Sequence, residues 1–291
     1  MRYVGRFAPS PTGPLHLGSL FTALASYLDA KANDGLWRLR VDDIDAPRAE
    51  PGAADSIQRS LEAHGLEWDG STLYQSQSLP DYGQALEQLR QLDLLFYCRC
   101  SRAQLKDRGP YPGSCRAQKH ALADAAIRVR CNNQTITFND KLQGRVRTEL
   151  GATCGDFVVW RRDGLPAYQL ATAVDDGDPG ITHVVRGNDL QDITARQIYL
   201  MQQLDLQVPH YAHLPVVVDA QGVKLSKRTG AQPVVNAKAS ANLAAVLQLL
   251  TLSPPTELAD LPVREMLSWA IESWPSAQLK ASSAVRLTER S

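Results

Sequence analysis

The sequence has no apolar run approaching the ~20 residues that span a bilayer, and its start lacks the apolar core of a secretory signal. Neither a membrane anchor nor export is expected, and the chain is expected in the cytoplasm. Net charge is also missing: Lys plus Arg is 31 and Asp plus Glu is 31. That balance excludes a uniformly basic nucleic-acid binder, so an RNA partner requires a local patch. Five cysteines in a cytosolic chain are not expected to form disulfide staples. No Walker loop and no Gly-x-Gly-x-x-Gly turn is present, so a nucleotide must be held by another device. The remaining composition is that of a globular protein, and 291 residues favour two domains over one.

The organising stretch is Arg6-Phe7-Ala8-Pro9-Ser10-Pro11-Thr12-Gly13-Pro14-Leu15-His16-Leu17-Gly18-Ser19. A short apolar strand over 3–7 enters a loop stiffened by Pro9, Pro11 and Pro14. The loop delivers His16 and Gly18 to an apolar-periodic helix over 20–32. A helix start offers free N–H groups and partial positive charge to an anion. Gly18 admits a ligand close to the backbone, and His16 can donate to a phosphate oxygen. Residues 36–41 alternate bulky and basic side chains as a strand does. Asp42-Asp43-Ile44-Asp45 follows at its carboxyl end, where open parallel sheets place ligands. Taken alone, those acids read as a solvated turn.

A helix is expected over 81–94, with Leu86, Leu89, Leu92 and Leu95 as its buried stripe. From 96 to about 118 large aliphatic residues are few, while Cys98-Arg-Cys100 and Tyr111-Pro-Gly-Ser-Cys115 stand out. Ligand types alone leave a zinc knuckle and three unconnected thiols both open. Cys131 and Cys154 read as isolated core residues. Residues 126–159 read as short strands with turns at Asn132-Asn133, Asn139-Asp140 and Asp156, a β-rich insertion. The chain from Asp156 to Tyr168 is expected to return to the main sheet. Residues 181–190 form a buried strand ending at Arg186, whose planar fork suits a carboxylate; Arg6 is the other candidate. A helix is expected over 196–204. A further strand from Leu214 turns into Lys224-Leu225-Ser226-Lys227-Arg228, and helical segments follow over 242–252 and 261–271.

Arg6 to Gly18 resembles the adenylate-binding signature of the class I glutamyl-type aminoacyl-tRNA synthetases. Lys224 to Arg228 resembles their mobile lysine loop, and the likeness extends to about Leu252. The resemblance implies an α/β fold with a Rossmann-type parallel sheet. Its two catalytic halves fall at 1–95 and 158–236, around a zinc-bearing, partly β insertion at 96–157, with a short helical region at 237–291. His16, Gly18, Ser19, Lys224, Ser226 and Lys227 are implied to bind ATP, His16 and Lys227 being catalytic, with magnesium accompanying the nucleotide. Arg6, Ala8, Ser10, Asp42, Tyr168 and Arg186 are implied to bind L-glutamate. Asp42 occupies the position of a family glutamate that holds the α-ammonium group, one methylene shorter.

One branch of the family glutamylates queuosine in tRNA(Asp) and carries a Cys-x-Cys, Tyr, Cys zinc site. That likeness implies one structural zinc on Cys98, Cys100, Tyr111 and Cys115, and tRNA(Asp) carrying queuosine as the acceptor for a monomeric enzyme. Full-length synthetases for translation carry a large helical anticodon-binding region after the lysine loop, and only about sixty residues follow it here. Three alternatives remain: a short discriminating glutamyl-tRNA synthetase charging the 3′ end, a different class I nucleotidyltransferase making a small adenylated metabolite, which would not need the zinc insertion, and a non-catalytic tRNA-binding paralogue. Intact His16, Lys227 and pocket arginines oppose the last.

Overall fold

The structure is a computed structural model and describes residues 2–105, 109–118, 120, 123–178, 180–226, 229–252, 254–255, 258, 261–274 and 281–287. Strand β1 (Val4–Phe7) is fully buried and pairs in parallel with β2 (Leu36–Val41), which pairs in parallel with β3 (Leu73–Tyr74). The crossover from β1 to β2 is helix α1 (Leu17–Lys31), whose residues 20–30 are all buried except Thr22. A helix apolar around its whole circumference belongs inside a domain, not on its surface. Leu20, Leu24 and Leu28 contribute about 1.5–3 kcal/mol each by that burial. Helix α2 (Ala53–Ala63) leads to β3, and α3 (Leu79–Gln91) leaves it.

The second part of the parallel sheet is β9 (His183–Gly187) beside β10 (His210–Leu214), with crossover helix α7 (Gln191–Gln203). Helix α6 (Tyr168–Asp176) precedes β9. The two parts meet where Thr182 N–H donates to Val4 O at 2.9 Å and Val4 N–H donates to Thr182 Oγ1 at 2.8 Å. The β1/β9 junction is a topological switch point: helices leave the two strands in opposite directions along the sheet, opening a crevice at their carboxyl ends.

The expected insertion is divided. Strands β4 (Leu95–Cys98), β5 (Ala126–Val129) and β8 (Phe157–Trp160) make a separate antiparallel sheet, with α4 (Arg102–Leu105) after β4. The stretch after Asp156 thus joins the insertion sheet before the chain returns through α6. Strands β6 (Thr135–Asp140) and β7 (Gly144–Glu149), followed by α5 (Leu150–Thr153), form a hairpin added to the catalytic sheet in the order β7-β6-β10-β9. Asn132 and Asn133 occupy the left-handed turn expected of them, whereas Asn139 and Asp140 close β6 and the turn lies one residue later. Asp140 pairs with Tyr211 of β10, which draws the end of β6 onto the catalytic sheet.

After β11 (Val216–Val218), helices α8 (Ala239–Leu249) and α9 (Val263–Ser273) bury Leu243, Val246, Leu247 and Met266 in the same core as α1. The carboxyl-terminal region, expected to be helical, also supplies β12 (Ala284–Arg286), parallel to β11. No helix among the described residues is long and apolar enough to cross a membrane.

Candidate active site and cysteine cluster

The crevice at the β1/β9 junction is a cavity of about 370 Å³. Arg6, Ala8 and Ser10 enter it from the end of β1, His16, Gly18 and Ser19 from the start of α1, and Tyr168 from the start of α6. Arg186 comes from β9, while Lys224 and Ser226 come from the segment after β11. Ten of the expected site residues therefore converge on one space. Lys227 lies outside the described residues.

His16 caps α1 from an extended backbone conformation, its Nδ1 accepting the Ser19 N–H at 3.2 Å. Nδ1 is thus the acceptor, and Nε2 carries the proton that meets Ser19 Oγ at 3.0 Å. The first turn of α1 holds no acid to compete with an incoming anion. Two observations join the lysine loop to this helix start. Pro233 bridges His16, and Val234 N–H donates to Leu15 O at 2.9 Å. At Gly18 a Cβ would stand 3.2 Å from the His16 ring and 3.6 Å from Leu225 Cβ, so glycine lets the two segments close on each other. Lys224 Nζ donates to Asp189 at 2.6 Å across the cavity rim.

Beneath the Arg6 side of the cavity lies a buried ionic network. Arg6 places Nε and Nη2 on the two Asp176 oxygens at 3.0 and 2.9 Å, and Nη1 on Val185 O at 3.4 Å. Arg40 donates to Asp42 and to Asp176, both at 2.7 Å. Gln75 and Tyr82 donate to Asp175 at 2.6 and 2.9 Å. Burial alone would raise the Asp176 carboxyl, but the charges of Arg6 and Arg40 override it and hold it well below the usual range. Asp42 fares differently: burial lifts it to about 6 despite Arg40.

Two of the expected residues are engaged within this network. Asp42 is not among the residues lining the cavity, because a buried carboxylate needs a counter-charge and Arg40 supplies it two residues away. Arg6 lines the cavity with its fork already engaged by Asp176. Of the two arginines lining the cavity, the one with a spare donor is Arg186, whose Nη1 is buried and has no partner among the described residues. Its other nitrogens are fixed: Nε donates to His213 Nε2 at 3.2 Å, and Nη2 donates to Thr194 Oγ1 and Gln197 Oε1, both at 2.7 Å. Arg40, Asp176, Thr194, Gln197 and His213 were not singled out in the sequence. The adjacent acids closing the apolar run at 170–176 were the available signal, but only burial gives them meaning.

Residues 3–251 match the family described as tRNA synthetases class I (E and Q), catalytic domain. The chain belongs to this family.

Its synthetase relatives match along nearly their whole length. A glutamyl-Q tRNA(Asp) synthetase of Pseudomonas aeruginosa is 48% identical over 278 residues, 95% of each chain. A protein of the same name from Methylococcus capsulatus is 48% identical over 280 residues, covering 95% of this chain and 93% of its own. Among solved structures, a glutamate tRNA ligase from Elizabethkingia meningosepticum in complex with its amino acid superposes with a TM-score of 0.82. That likeness, at 24% identity, covers all of this chain and 68% of the other, and it shows the shared class I fold.

The synthetase chain carries a second cluster outside the crevice. Cys98 ends β4, and the loop beyond brings the Cys98, Cys100 and Cys115 sulfurs within 4.8 Å of one another. Cys100 and Cys115 sulfurs are 3.6 Å apart, near the ~3.8 Å edge of a tetrahedral zinc–thiolate site. Tyr111 Oη lies 3.5 Å from Cys98 Sγ and accepts the Cys115 N–H at 2.9 Å, while the Arg128 guanidinium covers its ring at 4.0 Å. The donor set therefore fits one tetrahedral metal. Cys131 and Cys154, read as isolated, are neighbours: each thiol shifts the other, and the Cys154 carbonyl accepts the Tyr111 N–H at 3.1 Å.

Proposed function

We propose that this class I synthetase activates L-glutamate with ATP and transfers it to queuosine in the anticodon of tRNA(Asp). The observation that carries the reading is the end-to-end match to relatives named glutamyl-Q tRNA(Asp) synthetase. The crevice supports it independently. In the first step an oxygen of the substrate's α-carboxylate attacks the α-phosphorus of ATP. A mixed carboxylic–phosphoric anhydride forms, the bond from the α-phosphorus to the oxygen it shares with the β-phosphate breaks, and pyrophosphate leaves. Both reacting groups belong to substrates, so the protein supplies position and neutralises charge. His16 and Lys227 take the developing charge on the phosphates, with Gly18, Ser19, Lys224 and Ser226 around the nucleotide and magnesium as its counter-ion.

Arg186 takes the side-chain carboxylate through Nη1, and Ala8, Ser10, Tyr168 and the Asp176-bound Arg6 complete that pocket. Asp42 holds the α-ammonium group by exchanging Arg40 for the substrate. Cys98, Cys100, Tyr111 and Cys115 hold one structural zinc. A hydroxyl of the modified base then attacks the glutamyl carbonyl, forming an ester as the bond to the phosphate oxygen breaks and AMP leaves with the hydroxyl proton; the base is presented in an open anticodon loop, and RNA is commonly read in such loops.

The test has two stages. ATP–pyrophosphate exchange must depend on glutamate. Labelled glutamate must then enter queuosine-containing tRNA(Asp) and survive removal of the 3′-terminal adenosine, with unmodified tRNA(Asp) and tRNA(Glu) inert. Efficient charging of tRNA(Glu), or loss of transfer on trimming the 3′ end, would establish a short translation-type synthetase instead. Absence of exchange would identify a binding paralogue.

A further inference from the structure

We infer that Asp140 and His213 are positioning residues for glutamate selection, fixing the orientation of Arg186 by setting the tautomer of the His213 ring. The inference deepens the reading of Arg186 as the ligand of the side-chain carboxylate and rests on it. Its starting point is the hairpin that the sequence assigned to the insertion. Asp140 ends β6, and the parallel bridge to Tyr211 puts its carboxylate under β10. There Oδ2 meets His213 Nδ1 at 2.6 Å, and both oxygens accept the His213 N–H at 3.1 and 3.2 Å. Gln143 closes the clamp by donating to His213 O at 2.8 Å.

The other face of the imidazole decides the chemistry. His213 Nε2 accepts from Arg186 Nε at 3.2 Å, and a guanidinium has no acceptor to offer. Nε2 must therefore be bare and the proton must sit on Nδ1, where only an ionised Asp140 can receive it. Thr194 Oγ1, 3.0 Å from Nε2, sends its own proton to Leu190 O at 3.0 Å and accepts from Arg186 Nη2. Asp140, His213, Thr194, Gln197 and Arg186 are all at least nine-tenths buried, so no bulk water can replace a misaligned member. With Nε and Nη2 held, the planar guanidinium is fixed, and Nη1 is left as the free donor.

The groups acting on the ring agree with a neutral imidazole beside an ionised acid. Burial holds His213 below its ordinary range, the Arg186 and Arg6 charges add to that, and Asp140 opposes them. Burial acts to raise Asp140, but His213 and the Leu142, Gln143 and His213 amides keep it below the usual carboxylate range. Tyr211 and Phe138 cover the ring without adding charge, at 5.8 and 6.3 Å. Protonating His213 would remove the acceptor for Arg186 Nε and set two cations against each other.

The test is Asp140→Asn. Asparagine keeps an oxygen for the Leu142 and Gln143 amides, but its amide hydrogens now face Nδ1. The ring proton is driven to Nε2, against Arg186. We expect the glutamate KM in ATP–pyrophosphate exchange to rise ~10-fold or more, the scale of a lost charged hydrogen bond, with the KM for ATP unchanged. In a His213→Gln background, where the amide oxygen replaces Nε2 and no tautomer exists, the same substitution should change glutamate KM by less than about twofold. In the wild-type enzyme glutamate KM should rise as pH falls below the ordinary histidine range, since burial holds His213 low, and this rise should be absent from His213→Gln. An equal loss from Asp140→Asn in both backgrounds, an equal rise in the ATP KM, or a low-pH rise in glutamate KM that is the same in wild type and His213→Gln would overturn the inference. Arg186→Lys with unchanged glutamate KM would instead refute the assignment of the carboxylate, and so separates the two failures.

Discussion

Gly18→Ala places a single methyl between the two segments that build the proposed nucleotide site. The added Cβ would lie 3.2 Å from His16 Cε1 and Nδ1 and 3.6 Å from Leu225 Cβ. Carbon contacts prefer about 3.5–4.0 Å, so the imidazole must retreat by a few tenths of an ångström. Its contact with Ser19 N–H is already 3.2 Å, the long end of a hydrogen bond, and weakens further. Losing a cap interaction costs about 0.5–2 kcal/mol, whereas alanine recovers up to about 1 kcal/mol of helix propensity over glycine. The two nearly cancel, and urea unfolding should show a net change within about 1 kcal/mol. Catalysis has no such compensation. If His16 Nε2 must meet a phosphate oxygen, a shift of this kind should lower kcat for glutamate-dependent exchange by ~10–100-fold, leaving glutamate KM alone. Added to His16→Ala, the same substitution should cost little more, since it acts through a ring no longer there. An unchanged kcat, or a loss confined to glutamate KM, would refute the role given to this helix start.

Cys115→Ala should release one equivalent of zinc and loosen the loop at 98–116, read by metal analysis and by proteolysis of the insertion; stoichiometric zinc retained in a Cys98/Cys100/Cys115 triple variant would contradict the site. Asp42→Asn should alter stability with a definite sign. The Asp42 carboxyl ionises at about 6 in the fold against its ordinary 3.8, so between those values the folded state holds the extra proton. Its contribution is complete below about 3.8 and is lost as pH rises through about 6, at up to about 1.4 kcal/mol per pH unit. The asparagine variant should therefore lack this loss in urea titrations between pH 4 and 6. Identical slopes in the two proteins would show that Asp42 is not the group responsible.

Local patterns made much of the fold legible. The alternation at 36–41 and the apolar periodicity of 20–32 each pointed to one element, and they appear as β2 and α1. The three prolines and Gly18 marked the start of α1 that lines the cavity, because stiff lead-in, glycine and helix start lie close together in sequence. Equally local was the cysteine set at 98–115. The partners of charged groups were not legible. Arg38 and Arg40 alternate alike along β2, yet Arg38 is half-exposed and Arg40 is buried among Asp42, Asp175 and Asp176. No local pattern separates them, since two of the three acids around Arg40, Asp175 and Asp176, sit on α6, more than a hundred residues away.

The hairpin β6–β7 shows the same limit at the level of topology. Strand propensity placed β-structure after residue 126, but not which sheet would take each strand. Parallel pairing with β10 sent β6 to the catalytic sheet, while antiparallel pairing kept β5 and β8 beside β4. Sequence by itself determined the chemical vocabulary of this protein: the His16 helix start, the lysine loop, the arginine that suits a carboxylate and the thiol cluster. Tertiary structure alone decided how the arginines are held, engaging Arg6 with Asp176 and reaching Arg186 through His213 from Asp140. A buried charge takes its state from whatever the fold brings within hydrogen-bond distance, and that distance is set by packing between segments far apart in the chain.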